Sequence, residues 1–534
     1  MLKLRTSKKS QNQKKSQPDS VSLIINTEEP PGSILKRYTL PDYPQVEIVI
    51  SEDRGVGYYY VKEPVLSDEQ KKIFSIFLEK LYYGLPPIEG SRDPLEHIKQ
   101  GITEAIDELG IEDEVKGHLD KYVYYLRREL GYSVIEPLVK DQDVEEIECV
   151  AFNRPITVVH RVFSEFPRLI TNITFGEEDV LRRFVERLTE ISGKSVNIAN
   201  PIQDFIMKEG HRVAVSYLSE VSLPGTTFTI RKFPEKPFSI TELLKNNAIH
   251  PIMASYLWVI AEAKRFMFVC GPTGSGKTTL LNVLLTMLNP LSKIVTIEDT
   301  PEIRIPHKVW MRFFVRPASY LGTKEVGMGD LIKLALRVRP DYIVIGEVRG
   351  SEMSFLVQAS ATGHGGLTTL HAASLQEAIA RVSALLPPDQ AQEFKQLITA
   401  VTVVRRITDP ITGRQIRRVT EVSEYPEKQI FRWGVIEEND RKREAFFLND
   451  KPLGKRTIEE EVDSLLNVSY RFNEEGRPLG LALVSETLGW SRERLRTELV
   501  KRTILLKKLL ESNATDYSIV AEKLAEYYKS GEVD

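Results

Sequence analysis

The sequence predicts a multidomain α/β chain organised around a mostly parallel sheet, and three observations predict it. The length, 534 residues, is several times that of a usual domain. Between about 240 and 430, short β-rich runs at Phe266 to Cys270, Lys293 to Ile297, Tyr342 to Ile345 and Leu367 to Leu370 alternate with helical segments, the signature of a parallel α/β sheet. A glycine-rich stretch sits where the first of those strands gives way to a helix. An α+β region precedes this core, and α-rich extensions lie at both ends.

Composition narrows the function classes. The formal net charge of -3 is small for this length, so no global field draws the chain to nucleic acid, and no specific nucleic acid is expected. Cys149 and Cys270 lack a close partner or a CxxC pattern, which supports neither a disulfide framework nor a zinc site and fits a reducing cytoplasm. The most apolar long window, Ile252 to Val269, contains Glu262, Lys264 and Arg265 and reads as amphipathic rather than membrane-spanning. Lys3, Arg5, Lys8, Lys9, Lys14 and Lys15 have no apolar segment behind them to make a signal peptide.

Residues 1–20 are rich in Lys, Ser and Gln and are expected to form a disordered basic arm, either a solvated tail or a contact for anionic lipid or nucleic acid. Residues 35–131 read as a small α-rich domain: a short β-like stretch, Val46 to Ile50, then helices. The clearest is Asp120 to Leu130, with Tyr122, Tyr125, Leu126 and Leu130 on one side and Gly131 as its stop. Residues 132–233 read as an α+β domain, with alternation at Ile156 to Arg161, a helix at Glu177 to Ile191, and strands at Val213 to Tyr217 and Thr227 to Arg231. Pro234, Glu235, Lys236 and Pro237 make a stiff connector within a hinge linker at 234–239. The core occupies 240–430. Residues 431–534 are mixed, then helical, with Ser491 capping a helix that lines up Leu495, Leu499, Leu506 and Leu510, and Asp516 capping the last.

Gly271, Pro272, Thr273, Gly274, Ser275, Gly276, Lys277 and Thr278 match GxxxxGK[ST], between the strand ending at Cys270 and a helix beginning at Thr279. Glycines let successive backbone N–H groups turn inward on phosphate oxygens at the positive end of the helix. Lys277 adds a full charge at the terminal phosphates, and the Thr278 hydroxyl is a Mg²⁺ ligand. The segment therefore predicts Mg-ATP binding and an ATPase.

Three further segments carry candidate chemistry. Asp341 to Glu347, DYIVIGE, brings an acid to the C-terminal edge of the sheet beside the glycine loop, with Gly346 where a Mg-binding aspartate usually stands. Glu347 is thus expected to orient or deprotonate water, or to hold the metal through water; the alternative is a plain strand-end acid. Ile297 to Glu302, IEDTPE, clusters Glu298, Asp299 and Glu302, either around a shared cation or water or as an ordinary acidic turn. Thr362 to His371, TGHGGLTTLH, places His364 and His371 on either side of a short strand. Without a third ligand they suit a γ-phosphate sensor, or a structural role, better than a metal site.

In this order the four segments resemble the secretion ATPase superfamily, the motors of type II and type IV secretion, type IV pili and archaella. The family markers fall on the glycine loop, an Asp box (Glu298, Asp299, Glu302), an atypical second motif (Gly346, Glu347) and a His box (His364, His371). The likeness spans about Val134 to Val404. RKF at 231–233, LRVRPDYIVIGEVRG at 336–350 and TGHGGLTTLHA at 362–372 are most similar to the archaeal pilus and archaellum branch. The resemblance implies a RecA-like P-loop core, a preceding PAS-like α+β domain, a flexible linker and a homo-hexamer. It also implies a polytopic membrane platform protein as partner, pilin-like subunits served indirectly, and a peripheral position on the cytoplasmic face of the membrane. Arg212, in EGHRVAV, and Arg231, in FTIRKF, match the arginines that the family's N-terminal domain directs at phosphates; Arg339 and Arg349 are runners-up, and each can instead pair with a nearby carboxylate. Two other functions share these motifs: a conjugation-like DNA or protein translocator, and an assembly scaffold that binds ATP.

Overall fold

The computed structural model describes Ile25 and residues 28–83, 94–233, 236–316, 325–348, 350, 352–438 and 441–530. The expected basic arm, Pro234 and Glu235 of the connector, and Arg349 lie outside the described residues. The chain divides into two compact units, Met1–Phe233 and Pro234–Asp534.

The first unit is built on nine strands: β1 (Ser33–Leu40), β2 (Tyr43–Asp53), β3 (Val56–Lys62), β4 (Val144–Cys149), β5 (Thr157–His160), β6 (Leu169–Thr171), β7 (Ile202–Ile206), β8 (Arg212–Ser216) and β9 (Thr227–Arg231). They form one sheet in the order β1-β2-β3-β6-β5-β4-β9-β8-β7, antiparallel except where β3 meets β6. Where a single short β stretch was expected before residue 131, three strands occur, and they extend the sheet that follows. The reason lies in the sequence of the outer strand: β1 carries Lys36 and Arg37 and exposes most of its side chains, as an edge strand does, so it shows little apolar alternation. One hydrophobic core joins Ile48, Phe74 and Tyr125 to Ile147, Leu181 and Phe228, so the segments on either side of residue 131 pack as one body. The helix Leu119–Leu130 buries Tyr122, Tyr125 and Leu126 and ends with Gly131 as its C-cap.

The second unit contains β10 (Phe266–Cys270), β11 (Ile294–Glu298), β12 (Trp310–Phe314), β13 (Tyr342–Ile345), β14 (Gly365–Leu370), β15 (Ile398–Thr408), β16 (Gln415–Glu424), β17 (Lys428–Glu438), β18 (Arg441–Leu448) and β19 (Lys451–Pro452). Their order is β12-β11-β13-β14-β10-β15-β16-β17-β18-β19. From β12 to β15 neighbours are parallel; from β15 onward they are antiparallel. This is a RecA-like P-loop core in which β14 separates the glycine-loop strand β10 from the DYIVIGE strand β13, so those two are next-but-one rather than adjacent. The sheet also continues past residue 430 through β17, β18 and β19.

The apolar window near 252 departs from expectation. In the helix Pro251–Glu262, every residue from Pro251 to Ala261 is buried, so the helix is apolar all round rather than amphipathic. Its cover comes from the C-terminal extension: Leu495, Leu499 and Leu506 of the helix Arg492–Glu511 share its core, Arg502 pairs with Glu262, and the Trp258 indole donates to Tyr528 Oη at 2.8 Å. Ser491 caps Arg492–Glu511 through Arg494 N–H, and Asp516 accepts from Ser518 N–H at 2.9 Å at the start of Tyr517–Ser530. Among the described residues no helix is long and apolar enough to cross a membrane.

Candidate functional site

In a parallel sheet all the strands deliver their C-terminal ends to one edge, and the glycine loop emerges there from β10. Gly271 has φ +149°, and a Cβ at that position would lie 2.1 Å from the Val404 carbonyl oxygen, so only glycine lets the loop leave the strand this close to β15. Gly276, at φ +101°, forms the N-cap of the helix Lys277–Thr286. Lys277, almost fully buried, donates from Nζ to the carbonyls of Gly271 and Pro272, both at 3.0 Å. Ser275 Oγ is buried without a partner. A helix N-terminus, a buried ammonium resting on loop carbonyls and an orphaned hydroxyl make a cradle that fits a polyphosphate. Thr278 and Thr279, half-buried on the first helical turn, complete it.

Glu347 and His371 meet on the same edge. They follow β13 and β14, which are adjacent, and His371 Nε2 lies 2.5 Å from Glu347 Oε1. The backbone between them is tied as well: Val348 N–H donates to Thr369 O at 3.2 Å, and Thr369 Oγ1 donates to Gly346 O at 2.7 Å.

Glu298 ends β11 and is buried. Its Oε1 accepts the N–H groups of Glu302 and Ile303 at 2.9 and 2.7 Å, while Oε2 is buried without a partner. Burial pushes its carboxyl up to about 8, against these two backbone bonds and the Arg312 guanidinium, which favour the charged form. The anomalous glycine of the second motif has its explanation here. A Cβ on Gly346 would approach Glu298 Cγ to 3.2 Å, so the missing side chain at 346 is the space that Glu298 occupies. Asp299 is exposed and Glu302 half-buried; the IEDTPE turn thus folds around its own first carboxylate.

Sequence patterns alone miss two side chains at this edge. Asn282, on the helix that begins at Lys277, donates to Glu302 O at 3.2 Å and accepts from Arg304 N–H at 3.1 Å, binding the acidic turn to the loop helix. Arg417, on β16, donates from Nε to Gly274 O at 3.1 Å. No motif marks either residue.

Other candidates lie elsewhere. His364 precedes β14 and so sits at the opposite edge of the sheet from His371, separated by a six-residue strand of roughly 20 Å. Its Nδ1 faces Thr362 Oγ1 at 3.0 Å and Ala359 O at 3.2 Å. Arg212 and Arg231 belong to the first unit, where they are direct cross-strand neighbours on β8 and β9. Arg212 Nε reaches Asp204 Oδ1 at 3.0 Å, and the Arg231 guanidinium lies 5.9 Å from the Phe233 ring centre. Arg339 holds a positive φ of 50°.

Among the described residues, one group of metal-ligating types stands apart from this edge: Asp141, Asp143 and His160, with atoms within 4.8 Å of one another. His160 Nδ1 faces the N–H groups of Val162 and Phe163 at 3.2 and 3.4 Å, which makes it an acceptor and leaves the proton on Nε2. Nε2 lies 3.3 Å from Tyr38 Oη. Both Tyr38 and Tyr59 donate to Asp141 Oδ2, Tyr59 at 2.7 Å, and Asp143 N–H donates to Asp141 Oδ1 at 2.9 Å. With Nε2 protonated the cluster is a buried hydrogen-bond relay, not a metal centre.

Residues 161–433, over half the chain, match the family described as type II/IV secretion system protein. Uncharacterized protein MJ0900 of Methanocaldococcus jannaschii is 31% identical over 512 residues, covering 89% of this chain and 85% of that protein. A putative conjugal transfer protein of Mycobacterium tuberculosis is 35% identical over 262 residues, 47% of this chain and 74% of its own length. Among solved structures, the Legionella pneumophila ATPase DotB is similar at 16% identity and a TM-score of 0.40, over 84% of this chain and 95% of that one. The Methanocaldococcus relative agrees with the archaeal branch that the motifs resemble. The chain belongs to the type II/IV secretion system protein family, within the secretion ATPase superfamily.

Proposed function

We propose that this chain is a hexameric motor ATPase that couples ATP hydrolysis to the assembly of type IV pilus-like filaments, or to related secretion, through a membrane platform protein. The observation that carries this reading is the cradle at Gly271 to Thr278, whose buried Lys277 ammonium rests on two loop carbonyls at the edge where Glu347 and His371 meet. Lys277 exchanges those carbonyls for phosphate oxygens, and the Thr278 hydroxyl would hold Mg²⁺, which would supply charge neutralisation at the phosphates. Glu347, oriented by His371, takes the proton of the attacking water. Glu298 suits that task less well, since a carboxyl pushed up to about 8 is largely protonated at neutral pH and already accepts two backbone bonds. Arg212 and Arg231 are the proposed source of further positive charge for the transition state. Asp299 and Glu302 would hold water near the metal, with His371 as the proposed γ-phosphate sensor; His364, at the far end of β14 and bonded to Thr362 and Ala359, is too distant for that role. Loss of the γ-phosphate contacts then loosens the hinge at 234–239, and a closed ring of identical head-to-tail contacts turns that into movement at the cytoplasmic face of the membrane.

The test is Mg²⁺-dependent ATP turnover by the purified chain, alongside its oligomeric state, for the wild type and Glu347→Gln. Turnover lost with ring formation intact supports the motor. A wild type that forms rings on ATP without ever hydrolysing it supports the scaffold. A second reading rests on the relative named as a conjugal transfer protein: DNA-stimulated turnover that falls steeply with salt identifies a translocator instead.

A further inference from the structure

We infer that Arg417 is a positioning residue of the nucleotide site, acting through the backbone of the glycine loop; this rests on reading Gly271 to Thr278 as the nucleotide cradle. Its Nε donates to Gly274 O at 3.1 Å. In a trans peptide the C=O of one residue and the N–H of the next point in opposite directions. Holding the Gly274 carbonyl outward toward β16 therefore turns the Ser275 N–H toward the interior of the loop, where it now meets Pro272 O at 3.4 Å. That N–H is one of the inward donors the cradle needs for phosphate. Gly274 itself, at φ +72° with nothing within 4 Å of where a Cβ would stand, imposes no steric restraint on this peptide plane. Arg417 adds a side-chain restraint on this plane to the long bond from Ser275 N–H to Pro272 O.

The fold delivers Arg417 to this place by a register shift. β15 and β16 pair Val403 with Glu421 but Val404 with Val419, so Thr420 is an extra residue in the ladder. Without that bulge Val404 would pair with Thr420, and Val419 and Arg417 would face the other side of the sheet. With it, Val419 and Val422, three residues apart, enter the same core beside Val404. Arg417, two residues from Val419 and directly across from Arg406, takes the face next to the loop. Its Cδ and Val404 Cγ1 lie 3.7 and 3.9 Å from where a Gly276 Cβ would be. Because β15 pairs directly with β10, the side chain that grips the loop stands on the same rigid sheet that launches it.

The experiment measures ADP and ATP affinity, KM and kcat for the wild type, Arg417→Gln, Arg417→Lys and Lys277→Ala, with thermal midpoints of the nucleotide-free proteins. Arg417→Gln is expected to weaken ADP and ATP equally, by about tenfold, to raise KM in proportion and to lower kcat at saturation less than about threefold. Arg417→Lys, which can still donate to Gly274 O, recovers part of the affinity, and the nucleotide-free midpoints stay together. Unchanged affinity in Arg417→Gln, with binding lost in Lys277→Ala, overturns the role of Arg417 and leaves the cradle standing. A fall in kcat without a change in KM overturns it too, since it marks a transition-state contact. A lowered midpoint that accounts for the lost affinity assigns Arg417 to general stability and overturns the inference. A wild type that binds no nucleotide removes the cradle itself.

Discussion

Asp141 in the first unit and Glu298 in the second are both buried carboxylates, and their surroundings treat them in opposite ways. Asp141 has a donor on each oxygen: two tyrosine hydroxyls on one and a backbone N–H on the other. Glu298 has two N–H groups on Oε1 and nothing on Oε2. A closed network consumes its polar capacity in holding strands together, whereas an acid with an orphaned oxygen keeps a binding capacity in reserve. The difference separates the closed cluster from the proposed nucleotide edge more sharply than residue type does, since the first cluster holds the better metal-ligating set. The two also respond oppositely to pH. Burial depresses His160 in the closed cluster, so its contribution to stability is present above the ordinary histidine range and lost as pH falls through it. Glu298 is raised, so its contribution is complete below the ordinary value of 4.5 and lost as pH rises through about 8.

The comparison breaks most visibly if the open edge does no chemistry. Glu347→Gln is expected to reduce steady-state ATP hydrolysis by up to about 10⁴-fold, with nucleotide affinity changed by less than about threefold. Retained turnover would remove Glu347 as the base and return it to a strand-end acid. Next in size is the pH response of Glu298. Raising pH from 4.5 to about 8 withdraws roughly 5 kcal/mol of stability through this residue. Glu298→Gln, neutral throughout, should flatten that decline in urea unfolding of the nucleotide-free protein. Parallel pH profiles for wild type and variant would show that Glu298 is charged and satisfied in the fold. Smaller again, Lys277→Ala is expected to weaken Mg-ATP binding by about a hundredfold, the scale of a lost charge-assisted bond, read by titration calorimetry. Undiminished binding would dissolve the contrast between the two regions, because the open edge would then have no ligand.

How much of this was legible depended on whether local pattern or distant packing decided the outcome. Phe266 to Cys270 and Tyr342 to Ile345 read correctly to the residue, because an apolar run between turn signals is a local property. The loop glycines and Lys277 were equally plain, since the motif is itself a backbone requirement. The helix Pro251–Glu262 was misread because Glu262, Lys264 and Arg265 gather at its end and beyond it. Helices of the C-terminal extension, Arg492–Glu511 and Tyr517–Ser530, more than two hundred residues later, complete its burial. β1 was invisible because an edge strand need not alternate. His364 and His371 look equivalent in sequence, and only strand direction shows that one stands on the glycine-loop edge and the other on the far edge. Arg417 could not be found at all: its facing depends on Thr420 as an extra residue in a ladder, and a bulge leaves no composition signal.

The smallest expected effect sharpens the other side of the comparison. Tyr59 is fully buried, and its hydroxyl donates to Asp141 Oδ2 at 2.7 Å. Tyr59→Phe keeps the ring in place and removes one donor from a carboxylate that retains Tyr38 and Asp143 N–H. A single buried hydrogen bond lost from a network that can still satisfy its acceptor costs about 1 to 2 kcal/mol, expected as a lowered denaturant midpoint with an unchanged slope. Because the cluster is closed, nothing about nucleotide binding should follow, and affinity measured well below the unfolding transition should match the wild type. If Tyr59→Phe instead changed nucleotide affinity while leaving the midpoint untouched, the relay would have to be read as part of the working site. Satisfied hydrogen bonds would then no longer distinguish a structural cluster from a functional one.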